Sequence, residues 1–258
     1  MNIFQSIIFG IVEGITEFLP ISSTAHLDIT RMLLDIPATS FVKSFEIAIQ
    51  LGAILAVVLL YRNKIFTSWK YFRNICIAFI PTGIIGFVLY KIIKGFLLGN
   101  TLLIAWMLVV GGIVIILFEK RYRNKVDEND KMTVESLTTK ELLIMGTAQA
   151  LAVVPGVSRS LSVIVSGRLM GLSRTLVTEF SFLLAIPTML AATAYDLYKS
   201  GFAFTGADWG MLKIGFLVSF LVALFVVKWL IGYIQKHSFT IFGWYRIVLG
   251  VLLLSFLI

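Results

Sequence analysis

The chain has 258 residues, of which 59% are hydrophobic and only 14% are charged. A soluble domain carries roughly 25% charged residues, so this composition excludes an ordinary soluble fold. Long apolar runs without period-two alternation favour membrane helices over a membrane barrel. The net charge of +8 would suggest a nucleic-acid partner in a soluble protein, but the basic residues cluster in loops. We therefore expect membrane topology to explain this charge, with no nucleic-acid partner.

The first apolar segment is interrupted by polar residues. It contains Glu13 and Glu17 and stops at Pro20, which lacks an N–H group for helical hydrogen bonding. Ser22 or Ser23 can then cap a second short helix. Neither half reaches the ~20 residues that a membrane span requires. Two short helices that meet at a polar break predict a re-entrant hairpin, which a membrane tolerates only where the break is buried or lines a cavity.

A second broken hairpin, interrupted at Pro155-Gly156, lies between the third and fourth of six longer apolar segments. The chain thus repeats one order, a broken hairpin and three spans, over residues of about 1–120 and about 138–258. Because three is odd, the halves face opposite ways, and we expect an all-α integral membrane protein with an inverted-topology repeat in a single domain, 1–258. The predicted spans are Phe45–Tyr61, Ile75–Tyr90, Leu102–Phe118, Glu179–Tyr198, Met211–Ile231 and Ile241–Ile258.

The basic residues orient these segments. Four predicted loops, at 62–73, 119–140, 168–174 and 228–237, fall on one side and hold most of the lysines and arginines. The positive-inside rule places that side in the cytoplasm. We therefore expect the first hairpin and both chain ends to face the outer side, and the second hairpin to enter from the cytoplasm.

The two glutamates of the first hairpin suggest a cation site. Glu13 and Glu17 are four residues apart and share one helix face. Two ionised carboxylates at such a short distance repel each other in a low dielectric. Either one of them is protonated or a cation lies between them. Mg²⁺ and Ca²⁺ both suit oxygen ligands. Because ionisable groups at membrane depth are costly, we interpret this pair as functional.

The hydroxyls and the imidazole after the break suggest nucleophilic chemistry. Ser22 and His26 are four residues apart, so a hydroxyl and a proton carrier can share one face. The structural alternative is that the serines only cap the helix and that the histidine bonds another helix. The nucleophile stays open among Ser22, Ser23 and His26.

The second hairpin supplies positive charge. Ser158, Arg159 and Ser160 follow Pro155-Gly156 in the first turn of a helix, where free N–H groups, hydroxyls and a guanidinium favour phosphate. Alternatively, Arg159 pairs structurally with Glu13 or Glu17, since intramembrane charges normally pair. Acids, hydroxyls and an arginine at two converging helix starts indicate a phosphorylated headgroup, with an apolar tail against the spans.

Two motifs resemble a known family. E-G-I-T-E-F-L-P-I-S-S-T-A-H-L at 13–27 and P-G-V-S-R-S at 155–160 are similar to the signatures of the undecaprenyl-diphosphate phosphatases, the bacitracin-resistance proteins. Residues 45–58 and 179–187 also match that family's pattern. The resemblance implies an inverted repeat with re-entrant helices. It also implies an enzyme that removes one phosphate from undecaprenyl diphosphate on the outer face of the bacterial plasma membrane, recycling the carrier for peptidoglycan synthesis.

Together, the resemblance and the residues give the site a complete set of expected roles. We assign catalysis to Glu17, Ser22, Ser23, His26 and Arg159, substrate binding to Thr24, Ser158, Arg159 and Ser160, and a divalent cation, Mg²⁺ or Ca²⁺, to Glu13 and Glu17. Leu161 stands where the family usually has glycine, and we expect it to narrow the phosphate end. The expected partners are a polyprenyl diphosphate and membrane lipids, and a homodimer stays open. A polyprenyl-phosphate flippase or transporter is the alternative function.

Overall fold

A computed structural model describes residues 1–92, 95, 97, 99–122, 132–200 and 205–257. These residues form α-helices, two short 3₁₀ helices, turns and loops, and no strand occurs among them. Part of the predicted loop 119–140, with Arg123, Lys125 and Lys131, lies outside the described residues, as does Ile258. The α-helices are α1 (Ile3–Thr16), α2 (Ser23–Leu33), α3 (Ser40–Thr67), α4 (Trp69–Ile92), α5 (Thr101–Tyr122), α6 (Thr139–Gln149), α7 (Arg159–Leu169), α8 (Arg174–Ser200), α9 (Gly206–Ile234) and α10 (Thr240–Leu257).

Helices α3, α4, α5, α8, α9 and α10 are long and apolar enough to cross a membrane. The predicted all-helical fold with six spans is therefore confirmed. The predicted basic loop at 62–73 is wrong, because α3 continues to Thr67 and α4 begins at Trp69. Lysine and arginine are good helix formers and can extend their charged ends into water, so a helix can continue past its apolar stretch.

The four remaining helices form two helix–break–helix units. Helix α1 has 14 residues, which is about 21 Å at 1.5 Å per residue and too short for a hydrocarbon core of about 30 Å. It ends at Thr16 rather than near residue 19, and turns connect it to α2. Helix α6 likewise leads through a 3₁₀ helix, Ala150–Val153, and a turn to α7. The predicted breaks are thus present, while their re-entry into a membrane stays a prediction.

Helix packing matches between the two halves. Helix α1 lies against α9 as α6 lies against α4, while α3 packs on α8 and α5 on α10. Small residues allow the closest approaches: a methyl group at Gly14 would collide with Val222 of α9, and one at Gly146 would collide with the backbone of Ala78 in α4. These pairings are those that an inverted repeat requires, and the repeat itself stays a prediction.

The segments predicted to be cytoplasmic meet at one end of the molecule. Glu119, at the end of α5, accepts hydrogen bonds from Arg174 Nη2 at 2.9 Å and from the Phe239 N–H at 3.2 Å. At the start of α4, Asn74 Nδ2 donates to the Val134 carbonyl at 2.8 Å. These contacts join the starts of α8 and α10 to the end of α5, and the start of α4 to the segment that precedes α6.

Candidate functional site

The two breaks contact each other inside the protein. Ser160 Oγ, in the first turn of α7, donates to the Leu19 carbonyl of the first break at 3.0 Å. Arg246 of α10 donates to the Pro20 carbonyl at 3.1 Å and to the Gly156 carbonyl at 2.7 Å. The two breaks are therefore in direct contact, although more than 130 residues separate them in the chain.

Each break ends in a serine with the same unusual backbone. Ser22 has φ +72° and Ser158 has φ +75°, a left-handed region that residues other than glycine rarely adopt. Each hydroxyl accepts a hydrogen bond from the N–H three residues later, that of Ala25 or Leu161, at 3.4 Å. Both serines are therefore helix caps, the structural alternative of the sequence analysis. Strained backbone of this kind persists where the surroundings impose it, often at functional sites.

Glu17 joins the reactive groups of the two hairpins. Its Oε1 accepts from Arg159 Nη2 at 2.9 Å, and its Oε2 accepts from Ser23 Oγ at 2.5 Å. All three residues are nearly buried, with exposures of 6% for Glu17, 8% for Arg159 and 8% for Ser23. Arg159 Nη1 also donates to the Ser181 carbonyl at 2.6 Å. Glu17 therefore connects a hydroxyl of the first hairpin to the guanidinium of the second.

Two buried groups beside these residues have atoms without a hydrogen-bond partner among the described residues. Glu13 is fully buried, and neither of its carboxylate oxygens has a hydrogen-bond partner in the described part of the chain. Arg159 Nε is also without one there. Because buried polar groups are normally satisfied, these atoms are places where a proton, a cation or a ligand oxygen fits.

The same carboxylates decide how well a divalent cation fits. Both oxygens of Glu17 are already engaged, so Glu13 offers the open oxygens. Within the described residues, no group of three or more His, Cys, Asp or Glu side chains is arranged to hold a metal ion. A cation at Glu13 would therefore need oxygens from a bound phosphate and from water. Mg²⁺ binds in this way, through few carboxylates plus substrate phosphates.

Both ring nitrogens of His26 lie within hydrogen-bond distance of a partner. Its Nδ1 lies 2.7 Å from the Ser22 carbonyl oxygen, which can only accept, so Nδ1 carries the proton. In the neutral ring, Nε2 then accepts from the Tyr245 hydroxyl at 2.8 Å. The two rings are stacked, with centroids 5.6 Å apart. Both nitrogens are engaged, and the structure does not bring the imidazole onto the Ser22 hydroxyl.

The predicted substrate-binding residues separate into two groups. Ser158 and Ser160 lie at the contact between the breaks, with their hydroxyl oxygens 3.2 Å apart, and are buried. Thr24 instead lines a cavity of about 60 Å³ towards the end opposite the basic segments. That cavity also has charged walls, formed by Asp28, Arg31, Lys43 and Glu46. Thr24 thus lies on the wall of this cavity and not among the buried Ser23, Glu17 and Arg159.

Three further residues complete the comparison with the sequence predictions. Arg246 went unassigned, although an arginine inside an apolar span is itself a functional signal. Tyr245 carries no such signal, because aromatic residues are common in spans. Leu161 belongs to the main hydrophobic core, and its narrowing of the phosphate end stays a prediction.

Comparison with known proteins agrees with these motifs. The family model described as "Bacitracin resistance protein BacA" matches residues 6–252. The chain belongs to this family. It is 53% identical over 256 residues to an undecaprenyl-diphosphatase of Aquifex aeolicus, covering 99% of each chain. It is 50% identical over 252 residues to one of a Sulfurihydrogenibium species (98% of each), and 47% over 257 residues to one of Wolinella succinogenes (100% of this chain, 99% of the relative). Family membership and the six apolar helices make it a multi-pass membrane protein.

Proposed function

We propose that this protein is an undecaprenyl-diphosphatase. It hydrolyses a polyprenyl diphosphate to the monophosphate and inorganic phosphate at the outer face of the bacterial plasma membrane. The observation that carries the proposal is the buried Ser23–Glu17–Arg159 chain, in which a hydroxyl, a carboxylate and a guanidinium meet. The names of relatives at 47–53% identity over nearly the full length support the same activity.

Ser23 is the nucleophile that this geometry favours. Ser22 is occupied as a cap and His26 has both nitrogens engaged, whereas the Ser23 hydroxyl donates directly to a carboxylate. Its Oγ attacks the terminal phosphorus while Glu17 takes the hydroxyl proton. The bond from that phosphorus to the bridging oxygen breaks, and the polyprenyl monophosphate leaves with the proton.

Water completes the reaction. A water oxygen attacks the phosphorus held on Ser23, and Glu17 receives the water proton and passes it to Ser23 Oγ as the phosphorus–Oγ bond breaks. Inorganic phosphate leaves and the free serine is restored. One carboxylate therefore acts in both half-reactions, which explains why its second oxygen needs a permanent partner to orient it. Arg159 provides that partner.

Arg159 and the two helix starts stabilise the transferred phosphoryl group. Arg159 Nε is open to a phosphate oxygen while Nη2 holds Glu17. The first-turn amides of α2 and α7 carry the positive ends of two helix dipoles. Positioning and charge stabilisation supply most of the catalysis in phosphoryl transfer. A divalent cation, when bound at Glu13, would neutralise diphosphate charge there.

The location follows from the charge distribution. The cavity lined by Thr24 lies at the end opposite the basic segments, which the positive-inside rule assigns to the cytoplasm. The headgroup would enter there from the outer leaflet, with its isoprenoid chain along the apolar helix faces. Carrier recycling for cell-wall synthesis and bacitracin resistance would follow from this activity. A homodimer stays a prediction.

Phosphate release in detergent tests the proposal. Purified protein is assayed with a polyprenyl diphosphate, with and without EDTA, and Ser22→Ala serves as the matched control for Ser23→Ala. We expect the wild type and Ser22→Ala to release phosphate, Ser23→Ala to lose release, and EDTA to suppress it. Full release by Ser23→Ala would contradict the assigned nucleophile. Absence of release by the wild type with added Mg²⁺ and with added Ca²⁺ would contradict the function.

One observation favours the alternative, a polyprenyl-phosphate flippase or transporter. A second cavity, of about 650 Å³, opens at the basic end and is lined by Lys64, Tyr71, Glu135 and Glu179 among others. The other cavity, lined by Thr24, lies at the opposite end, and transporters with inverted repeats alternate access between the two sides of a membrane. A pure transporter moves lipid across sealed vesicles and releases no phosphate in micelles, where there is no second compartment.

A further inference from the structure

Arg246 lies in the apolar helix α10 and is completely buried. Its guanidinium donates to backbone carbonyls in three separate elements. In the two breaks, Nη1 donates to Pro20 at 3.1 Å and Nη2 to Gly156 at 2.7 Å. In α5, Nη2 donates to the Met107 carbonyl at 2.9 Å and Nε to that of Leu108 at 3.4 Å.

Charges at membrane depth pair with one another or with backbone carbonyls. Arg159 pairs with the Glu17 carboxylate. The described hydrogen bonds of Arg246 all end on carbonyl oxygens instead. Pro20 and Gly156 lie where the helices are interrupted, so their carbonyls depend on partners outside a regular helical ladder. One guanidinium satisfies both.

We propose that Arg246 is a positioning residue that fixes the distance between the two breaks and so brings together the reactive trio, Ser23, Glu17 and Arg159. Pro20 lies three residues after Glu17 and three before Ser23, and Gly156 lies three before Arg159. A shift of either carbonyl therefore moves a reactive side chain. The inference rests on the proposed phosphatase activity. Misplacement by about 1 Å can cost about 10²-fold in rate, so such a clamp matters although it need not touch the substrate.

The chemistry of the side chain explains why arginine suits this role. A guanidinium is a planar fork with five donors, so it can hold several acceptors in fixed directions. A lysine ammonium keeps the charge but concentrates its donors at one point. Gly111 of α5 makes the space, because a methyl group at that position would collide with the guanidinium of Arg246. Gly111→Ala therefore displaces the clamp without changing the arginine.

Kinetics per folded molecule provide the first test. Arg246→Gln, Arg246→Lys and Gly111→Ala are compared with Arg168→Gln, which removes another buried guanidinium, one that bonds the Leu172 carbonyl. We expect kcat of Arg246→Gln to fall about 10²-fold, with KM changed less than about threefold. We expect Arg246→Lys to have a similarly low kcat although it keeps the charge. Gly111→Ala should show a smaller loss of kcat, again with little change in KM. Arg168→Gln should lower the unfolding temperature but leave kcat unchanged.

Distances between the hairpins provide a test that does not depend on activity. With Cys76 replaced by alanine, spin labels are placed at Leu33→Cys and Leu169→Cys, the exposed last residues of α2 and α7 (81% and 56% exposed). Pulsed dipolar spectroscopy then measures the label–label distance. We expect a broader or shifted distribution in Arg246→Gln and Gly111→Ala, and the wild-type distribution in Ser23→Ala and Arg168→Gln.

The outcomes separate the two proposals. A loss of kcat with an unchanged label–label distance would overturn the positioning role. Wild-type kcat and a wild-type distance in Arg246→Lys would overturn it too, because the charge alone would then be enough. An unchanged kcat in folded Arg246→Gln would overturn it as well. If Arg246 variants do not fold, Gly111→Ala decides by the same two measurements. If the wild type releases no phosphate, the proposed function fails, and the distance measurement still decides whether Arg246 holds the breaks together.

Discussion

The two breaks have the same backbone and opposite chemistry. Ser22 and Ser158 both have a left-handed φ, and both cap the helix that follows. The first break is flanked by carboxylates, Glu13 and Glu17, and the second opens directly onto Arg159. The same local structure thus brings the first turns of α2 and α7 to the contact between the breaks. The side chains there differ, with carboxylates from the first half and a guanidinium from the second.

This difference shows why neither hairpin is a site alone. The first places the Ser23 hydroxyl on the Glu17 carboxylate, and the guanidinium that meets this carboxylate, that of Arg159, comes from the second. The Arg159–Glu17 ion pair that joins them is nearly buried. Buried ion pairs are weak sources of stability, but removing one partner costs about 3–5 kcal/mol because the other is left unpaired. Single substitutions of Glu17 or Arg159 therefore need a control in which both residues are replaced by neutral ones, so that loss of stability is separated from loss of catalysis.

The largest effect is expected from removing the nucleophile of the first hairpin. Ser23→Ala should lower kcat by about 10³-fold or more, because no other described hydroxyl donates to Glu17. Its fold should be intact. Ser22→Ala, one residue away, should instead cost about 1 kcal/mol of stability through the lost cap and keep most activity. Equal losses in the two variants, measured as phosphate release per folded molecule, would refute the distinction between cap and nucleophile.

The next effect is expected from the cation of the second hairpin. Arg159→Lys keeps the charge but cannot bind Glu17 and a phosphate oxygen through one fork, so we expect a loss of about 10²-fold in kcat. Glu17→Gln/Arg159→Gln removes both charges and should fold, yet be inactive. Thermal unfolding of the double and single variants checks this separation. A double variant with wild-type activity would mean that the pair is only structural.

A smaller effect is expected at Glu13, the open carboxylate. Glu13→Gln should lower phosphate release about tenfold and raise the Mg²⁺ concentration needed for half-maximal release, because the amide is a poorer ligand. Titration of Mg²⁺ after EDTA treatment measures this shift, with Glu46→Gln as the control carboxylate. An unchanged Mg²⁺ dependence in Glu13→Gln would show that the cation binds elsewhere.

The smallest effect is expected at the contact between His26 and Tyr245. Tyr245→Phe removes one hydrogen bond and keeps the stacked ring, so a loss of about 1 kcal/mol, or about fivefold in activity, is the upper expectation. His26→Gln should behave similarly if the imidazole only orients α2 on α10. A loss in His26→Gln as large as that in Ser23→Ala would instead restore His26 as a reacting group.

Sequence patterns predicted the six spans, the two breaks and the members of the trio, because each leaves a local signal. Apolar runs mark spans, Pro20 and Pro155 mark breaks, and charges at membrane depth mark function. The sequence left the partner of Arg159 open between a phosphate and Glu17. In the structure its Nη2 donates to Glu17, and its Nε has no hydrogen-bond partner among the described residues. Long-range geometry leaves no local pattern.

The same reason explains what was missed. Ser22 and Ser23 are indistinguishable as residue types, and only the backbone conformation makes one a cap and the other a carboxylate partner. Arg246 donates to backbone carbonyls, which every residue has, so no residue type in the sequence indicated its partners. The extension of α3 to Thr67 likewise depends on a helix continuing beyond its apolar part.

The central claim is that Ser23 attacks the terminal phosphorus with Glu17 and Arg159 in place. Trapping the transferred phosphate tests it most directly. Protein is mixed with a polyprenyl diphosphate radiolabelled on its terminal phosphate, quenched within one turnover in acid and, separately, in alkali, and the labelled peptide is sequenced by mass spectrometry. We predict an acid-stable phosphate ester on Ser23 that is absent from Ser23→Ala. A label on His26 or Ser22, or undiminished phosphate release by Ser23→Ala, would contradict this account.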